Sequence, residues 1–450
     1  MKYYEGCEEI AKEKTQDFQA KMKMGFEFKK AYAARRAWEF YNHPEVAGRC
    51  YVAVGGLDSI TLFLFLRSIG INAPATSVSM LEDRSIQRVH KALGVKGLLP
   101  VVNQKTQRPY NKVEVIREYG FPVLSKEIAG KIYTLQHPTE KNATVRHAIM
   151  TGETGAYGGY RKGTRMKMAQ KWLEIFGGPE NEREGTDYET APFQVSDLCC
   201  YYLKEKPCDD YAKESGRFPF MGLMASEGGR RQKALMLNGC NYISKTTKRS
   251  APFAIFTRQD LLTLALEMEE WYQEHWEEFD GNGERLESIV PEIYGKIVRD
   301  PLAMTQEEIE AYKEEHGGVG PEGQLRTTKA QRTGCSMCGF GVHIEKRPNR
   351  FDQLRNRNPK EWEMWMNHIC QDETGEWYGW GRVLDYIGIG WKDDLFDQED
   401  PKPLCEECVD RLGKDFTLEG PEEEPHKGTC WSCRRKRKVI RRFAVEEVQK

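Results

Sequence analysis

The stretch Cys50-Tyr-Val-Ala-Val54, followed at once by Gly55-Gly56-Leu57-Asp58-Ser59 and the apolar run Ile60–Ser68, constrains this chain more than any other. Cys50–Val54 is short, apolar and β-prone, and Ile60–Ser68 has helical length and ends near Gly70. Strand, glycine turn and helix in that order form the front half of a βαβ unit, and strands alternating with helices predict a parallel sheet. Thr76–Met80 and Gly97–Val102 read as further strands, with Ser85–Leu93 as a helix whose Ile86, Val89 and Leu93 share one face. Pro219–Leu223 and Asn241–Ile243 read as later strands and Gln259–Glu274 as a helix facing the core through Leu262, Leu266 and Trp271. Before all of this, residues 1–46 read as helical, with Phe26, Phe28, Ala31, Ala34, Trp38 and Phe40 at helical spacing.

At the turn, two glycines let backbone N–H groups approach an anion closely, and the helix start behind them adds partial positive charge. Ser59 can donate to a phosphate, and Asp58 can cap the helix or help place a metal on the phosphates. The plainer reading is a tight strand-to-helix turn in which Asp58 or Ser59 is only an N-cap.

Charge and cysteine content narrow the class. Lys+Arg 67 against Asp+Glu 69 excludes a protein that coats nucleic acid non-specifically through net charge, although a local basic patch is compatible with it. No run approaches the ~18–20 apolar residues of a membrane span, and the mixed-charge first residues lack a signal-peptide apolar region. The expectation is a soluble, cytoplasmic protein without membrane contact. Thirteen cysteines, an odd count, fit metal better than a disulfide scaffold. CxxC occurs at Cys335/Cys338, Cys405/Cys408 and Cys430/Cys433, beside a tandem Cys199-Cys200 and a Gly239-Cys240.

The two C-terminal knuckles, CEEC and CWSC, are separated by 21 residues. Their four thiolates, Cys405, Cys408, Cys430 and Cys433, suffice for a closed tetrahedral zinc site that folds a module too small for its own core. Four cysteines complete such a site, which makes His426 a surface residue. Arg434-Arg-Lys-Arg-Lys-Val-Ile-Arg-Arg442 follows, and residues 431–450 hold eight Lys/Arg and two Glu. This strip is either a grip on RNA or DNA phosphates or a solvated face balancing Glu422–Glu424. The Gly-, Tyr- and base-rich segment at 150–190 is either a mobile cover over a site or a surface connection, and Gly317–Gln324 reads as a flexible break. His90 and His343 are candidates for acid–base work, or structural histidines.

Val-Ala-Val54-Gly-Gly-Leu-Asp-Ser59 resembles the PP-loop (SGGxDS) of the adenine nucleotide α-hydrolase superfamily, with Val54 for the family's Ser and Leu57 where many members have Lys. The resemblance narrows to the phosphoadenylyl-sulfate (PAPS) reductase family, in its phage and mobile-element branch. It is carried by Glu118-Tyr-Gly-Phe-Pro-Val-Leu-Ser-Lys-Glu-Ile-Ala129 and by Cys199-Cys200-Tyr-Tyr-Leu-Lys-Glu-Lys-Pro207. Gly222-Leu-Met-Ala-Ser-Glu-Gly-Gly-Arg-Arg231 is similar to the family's G-x-R-A-x-E-S-x-x-R, with Met224 and Gly228 replacing an Arg and a Ser. Gly239-Cys240-Asn241, Ser250-Ala-Pro252, Arg332-Thr-Gly-Cys-Ser-Met-Cys-Gly-Phe-Gly-Val-His343, Asn349-Arg-Phe351 and Gly381-Arg-Val-Leu-Asp-Tyr-Ile387 extend it over roughly residues 25–390.

The resemblance implies an adenine nucleotide α-hydrolase-like parallel sheet of about five strands with helices on both faces, a Cys-rich section and a small zinc module. The expected organisation is a helical segment at 1–46, a nucleotide-binding α/β domain at 47–324, a Cys/Trp-rich cluster section at 325–400 and a basic zinc-ribbon-like module at 401–450. It implies ATP or a phosphosulfate nucleotide (PAPS/APS), with Mg²⁺, at Val54, Gly55, Gly56, Leu57, Asp58 and Ser59, and with Gly222, Glu227, Arg230, Arg231 and Lys245 contributing. Asp58 and Ser59 carry the catalytic expectation. It also implies a [4Fe–4S] cluster on Cys199, Cys200, Cys335 and Cys338, with Cys240 or Cys370 as an alternate ligand, where the plain reading is ordinary buried cysteines. Three activities follow as expectations: ATP-dependent sulfur transfer or adenylation on a nucleic acid, dithiol-dependent reduction of PAPS/APS to sulfite, or nucleotide binding without turnover. A sulfur-donor or dithiol protein is the implied partner, and no mobile ECGxH-type segment, the reductases' nucleophile, is present.

Overall fold

The computed structural model describes residues 5–153, 166–178, 188–300, 306–315, 323–331, 333, 335, 337–345, 349–391, 402–413, 416–421, 424–430 and 436–447. The chain forms two compact units, each assembled from separate stretches: 1–109 with 203–336, and 110–202 with 337–450. The architecture is mixed α/β with a mostly parallel central sheet.

That sheet belongs to the first unit. Its strands are β1 (Cys50–Ala53), β2 (Ala75–Ser77), β3 (Lys96–Gly97), β4 (Phe218–Met221), β5 (Asn241–Ile243) and β6 (Lys248–Ser250). They lie in the order β3-β2-β1-β4-β6-β5, and all neighbours are parallel except the β5–β6 pair. Val52 pairs with Ala75 on one side of β1 and with Phe220 on the other. The chain therefore runs outward from β1 through β2 to β3, then returns to the opposite side of β1 at β4. The helix Leu57–Ser68 is buried from Ile60 to Leu66, as its all-round apolar sequence requires. Phe40, Phe63, Phe65, Phe220, Phe253 and Phe256 fill the surrounding core.

Three sequence expectations shift here, over Gly97–Val102, over Thr76–Met80 and at Leu266. Gly97–Val102 is not one strand: Lys96–Gly97 pairs with β2, whereas Val102–Asn103 pairs antiparallel with Arg108–Pro109. Pro100 lies between them, and a residue without an N–H interrupts a ladder. The strand expected over Thr76–Met80 stops at Ser77 and gives way to a 3₁₀ turn at Ser79–Leu81. In the helix Phe26–Tyr41 the buried face is Lys29, Ala33, Ala37 and Phe40, while Phe28 and Trp38 are 41% and 36% exposed. Lys29 is inside because its Nζ meets Asp260 Oδ2 at 2.7 Å, and Asp260 also completes the capping box of the helix Arg258–His275 with Thr257. That helix buries Leu262, Ala265 and Met268, with Leu266 37% exposed.

The second unit has a core rich in aromatic residues, with Phe121, Phe176, Phe193, Trp365 and Trp380 at its centre. Val123–Leu124 pairs parallel with Gly339–Phe340, and a Cβ on Gly339 would strike the Trp380 ring and the Pro122 carbonyl. A hairpin joins Cys370–Gln371 to Trp377–Tyr378. Four strands form an antiparallel sheet in which Lys436–Glu447 pairs with Lys402–Cys405, Phe416–Glu419 and His426–Thr429. Among the described residues its core is small: Leu404, Cys405, Cys408, Cys430 and Val439, with Val409, Leu412 and Leu418 partly buried against them. Among the described residues no helix is long and apolar enough to cross a membrane.

Candidate functional site: a glycine loop at the sheet's carboxyl edge

The glycine turn lies where β1 ends and the helix Leu57–Ser68 begins, at the carboxyl end of the strand that parts the sheet. In open α/β sheets this reversal point opens a crevice in which ligands bind. β4 ends beside it at Gly222, where a Cβ would stand 3.0 Å from the Asp58 carbonyl and the Ser59 nitrogen. Gly222 is therefore a contact glycine, required because the loop backbone lies against it. Gly56 is another, since a Cβ there would strike the Tyr294 hydroxyl.

Within the loop, the Gly55 N–H donates to Ser59 Oγ at 2.7 Å and the Ser59 hydroxyl lies 3.0 Å from the Gly56 carbonyl, to which it donates. The Leu57 N–H donates to the Tyr294 hydroxyl at 3.1 Å, and that hydroxyl meets Thr333 Oγ1 at 2.6 Å. Asp58 pairs with Arg258 at 2.8 Å, and Arg258 also donates to the Gln331 carbonyl. Val54, just before the first loop glycine, is buried.

Two further side chains brace the loop from below. His90 Nε2 lies 2.8 Å from the Gly55 carbonyl and its Nδ1 lies 2.9 Å from Ser79 Oγ. A carbonyl only accepts, so Nε2 carries the proton and the neutral ring accepts from Ser79 at Nδ1. Burial lowers the His90 pKa; the Gly55 carbonyl and Glu82 oppose that shift, and Lys204 adds to it. Glu82, almost fully buried, has its Oε1 3.7 Å from where a Gly55 Cβ would be. An unpaired carboxylate there would repel a phosphate, and Lys204 offsets it at 2.6 Å. Burial works against the Lys204 charge, but the Cys335 sulfur and Glu82 outweigh it and hold its pKa raised.

The other expected nucleotide residues are placed as follows. Glu227 pairs with Arg231 at 2.5 Å, Lys245 is exposed in the turn between β5 and β6, and the side chain of Arg230 lies outside the described set. Cys240 is buried in the wall of a cavity of about 200 Å³ bounded by Met221, Leu223 and Tyr242. Burial pushes its thiol up to about 11, with Arg36 and the Tyr32 hydroxyl acting the other way.

At the C-terminal cysteines the ligand atoms of Cys405, Cys408 and Cys430 all lie within 4.8 Å of one another, and all three side chains are buried. The Cys405 N–H donates to Cys430 Sγ at 3.3 Å. Three converging sulfurs suit a tetrahedral metal, and the fourth expected ligand, Cys433, lies outside the described residues. Arg434 and Arg435 of the basic strip also lie outside, whereas Lys436, Lys438 and Arg441 are exposed on the long strand. Lys438 stands directly opposite exposed Lys427, and Arg437 pairs with Glu407. His426 is exposed, as expected.

Of the cluster cysteines, Cys335 falls in the first unit and Cys199, Cys200 and Cys338 in the second. Those three form no single-ion group like that at Cys405. His343 has a buried Nδ1 without a partner among the described residues, and burial, then Lys171, lowers its pKa.

His90, Glu82, Tyr294, Thr333 and Arg258 were not singled out at this loop by sequence reasoning. Lys204 had a signal, as the lysine of the tandem-cysteine motif; Tyr294, 237 residues from its partner, had none. No family model, curated protein or solved structure matches this chain.

Proposed function

We propose that this protein is a PP-loop enzyme of the PAPS reductase-like kind, with an adenine nucleotide α-hydrolase-like fold, that binds ATP by its phosphates at Val54–Ser59 and activates a nucleic-acid acceptor for sulfur transfer. One observation carries the reading: a glycine loop entering a helix N-terminus at the reversal point of a parallel sheet, backed by Gly222. An acceptor oxygen attacks the α-phosphorus, the bond to the β-phosphate breaks, and pyrophosphate leaves along the loop. A sulfide-class donor then displaces AMP as sulfur takes the oxygen's place. Ser59 and the backbone N–H groups of Gly55 and Leu57 would hold the leaving phosphates by exchanging their present partners, the Gly56 carbonyl, Ser59 Oγ and the Tyr294 hydroxyl. Mg²⁺ would accompany the nucleotide, and Asp58, paired with Arg258, is the loop's own carboxylate.

The exposed Lys427, Lys436 and Lys438 are the proposed grip on RNA or DNA. Lysines directly opposite each other on neighbouring strands repel, and a phosphate backbone relieves that repulsion. Zinc on Cys405, Cys408, Cys430 and Cys433 would cross-link this module. A [4Fe–4S] cluster on Cys199, Cys200, Cys335 and Cys338 belongs to the same reading and would supply sulfur or electron chemistry. Sulfite formation from PAPS is less favoured, because the C-terminal cysteines described are buried in a small core and are not mobile thiols. Binding without turnover is favoured by one observation: the loop's own donors are engaged by Ser59 and Tyr294.

Pyrophosphate release from ATP and sulfite release from PAPS, on protein purified without oxygen and with and without RNA or DNA, separate these readings. Pyrophosphate release stimulated by nucleic acid and lost on deleting 401–450 supports the transferase. Sulfite production that survives the deletion supports the reductase. Nucleotide binding with neither product supports the non-catalytic form, and no nucleotide binding overturns all three.

A further inference from the structure

The second unit contains a cavity of about 320 Å³ that the reading above does not use, within the ~300–1,000 Å³ typical of small-ligand pockets. Arg117, Phe121, Gln194, Gln371, Trp377 and Tyr378 contribute its walls. The hairpin register sets Cys370 opposite Tyr378 and Gln371 opposite Trp377. Side chains alternate along a strand, so the first pair shares one face and the second pair the other. Cys370 is buried and Tyr378 packs 6.0 Å from Phe121, so that face closes the inner wall. Burial pushes the Cys370 thiol up to about 11, which makes it wall and not nucleophile.

The outer pair forms the rim. Trp377 is 45% exposed, and the Arg117 guanidinium lies 5.6 Å from its ring centroid. Arg117 is anchored through Nε, which donates to the Ile369 carbonyl at 2.6 Å, and its Nη groups make no hydrogen bond among the described residues. The Gln194 carboxamide also makes none there, while its backbone carbonyl is fixed by the Phe121 N–H at 2.8 Å. Gly120, at φ +104°, leaves no room for a Cβ against the Gln194–Val195 backbone, which seats Gln194 tightly at the rim.

A half-exposed aromatic ring with Arg117 over it, a cation with unused Nη donors, the Gln194 carboxamide, and Gln371, whose Nε2 donates to the Gly375 carbonyl at 3.3 Å while its oxygen makes no hydrogen bond among the described residues, together describe one ligand class. A cationic ligand is repelled by Arg117, and an aliphatic chain leaves Gln194 and Gln371 unmatched. A flat base with a polar edge and an attached phosphate uses all of them. We propose that this cavity takes one unpaired base of a single-stranded nucleic acid, stacked on Trp377, edge-bonded by Gln194 and Gln371, with the adjoining phosphate on Arg117. The proposal rests on the nucleic-acid reading above and names how the acceptor strand is held.

The test is fluorescence anisotropy of the full-length chain with labelled 12-nucleotide single-stranded RNA, the same DNA sequence, and the RNA and DNA duplexes, at about 0.15 M salt. Trp377→Ala, Trp377→Phe, Arg117→Gln and a Lys427→Gln/Lys438→Gln pair are compared with the parent. Trp377 is at the surface, and thermal midpoints within a few degrees of the parent show that the variants are folded. The expected result is single-strand over duplex preference, about tenfold or greater loss in Trp377→Ala, recovery of most of it in Trp377→Phe, and loss in Arg117→Gln. RNA and DNA arms that differ identify the strand chemistry. Single-strand binding unchanged in Trp377→Ala overturns the pocket. If the lysine pair abolishes that same binding, the nucleic-acid reading survives the pocket's failure. Loss in Trp377→Ala with no effect of the lysine pair keeps the pocket and removes the strip. No binding of any strand by the parent overturns both.

Discussion

The Tyr294 hydroxyl occupies the position at the Leu57 N–H that an anion would take, accepting its hydrogen bond at 3.1 Å. Tyr294 is buried, is held by Thr333, and fills the space that Gly56 leaves. The N-terminal N–H of a helix is a general anion seat, so a phosphate arriving here competes with a phenol or joins it as a further partner. Tyr294→Phe separates the two. Competition gives tighter ATP or pyrophosphate binding by several-fold in isothermal titration, and partnership gives weaker binding by a similar factor. In both cases the unpaired Leu57 N–H costs about 1–3 kcal/mol of stability in urea unfolding without ligand.

Gly222 marks how closely β4 approaches the loop. In Gly222→Ala the added methyl meets main-chain atoms of Asp58 and Ser59, which move only if the loop moves. Nucleotide affinity is expected to fall about tenfold or more, with a small change in thermal midpoint. A variant that binds ATP as the parent does would remove this loop from the nucleotide site.

The loop should also report on pH. His90 is held below its ordinary value, chiefly by burial, so below about pH 6.5 the unfolded chain takes up a proton that the folded chain resists. The stability it contributes is complete above that pH and is lost as pH falls through the window beneath it, at no more than ~1.4 kcal/mol per pH unit. Urea midpoints measured between pH 5 and 7.5 should show this slope, and His90→Gln, which cannot titrate, should flatten it.

Among the described residues of 402–447 the buried core is small, and a core of that size ordinarily needs a cross-link. One zinc per chain is expected at the C-terminal cysteines, and Cys405→Ser should lower the zinc content and open 402–447 to protease while the first unit's unfolding transition stays in place. Equal protease resistance with and without a strong chelator would show that the module folds without metal.

What was legible in the sequence was local. Cys50–Ala53, the turn and Leu57–Ser68 lie within twenty residues, and their order of apolar, glycine and apolar segments leaves little else to form. Cys405, Cys408 and Cys430 were legible because their spacing is itself the ligand geometry. Distant partners were not. Nothing near Lys29 tells that Asp260 waits 231 residues on, and without that partner a lysine belongs in water. Glu82 and Lys204, 122 residues apart, are likewise ordinary charged residues until the fold joins them beside Gly55.

The interleaving of the two units has a consequence for how the protein is made. During synthesis, β1 and β2 emerge early, but β4, the other neighbour of β1, follows only after the 110–202 stretch of the second unit has left the ribosome. Until then Cys50–Ala53 offers an unpaired parallel edge, and the 110–202 stretch waits in turn for 337–450. Neither unit is complete in a nascent chain that ends at 202, so a stop codon there yields two halves without their partners, and any shortened version must keep both stretches of a unit together.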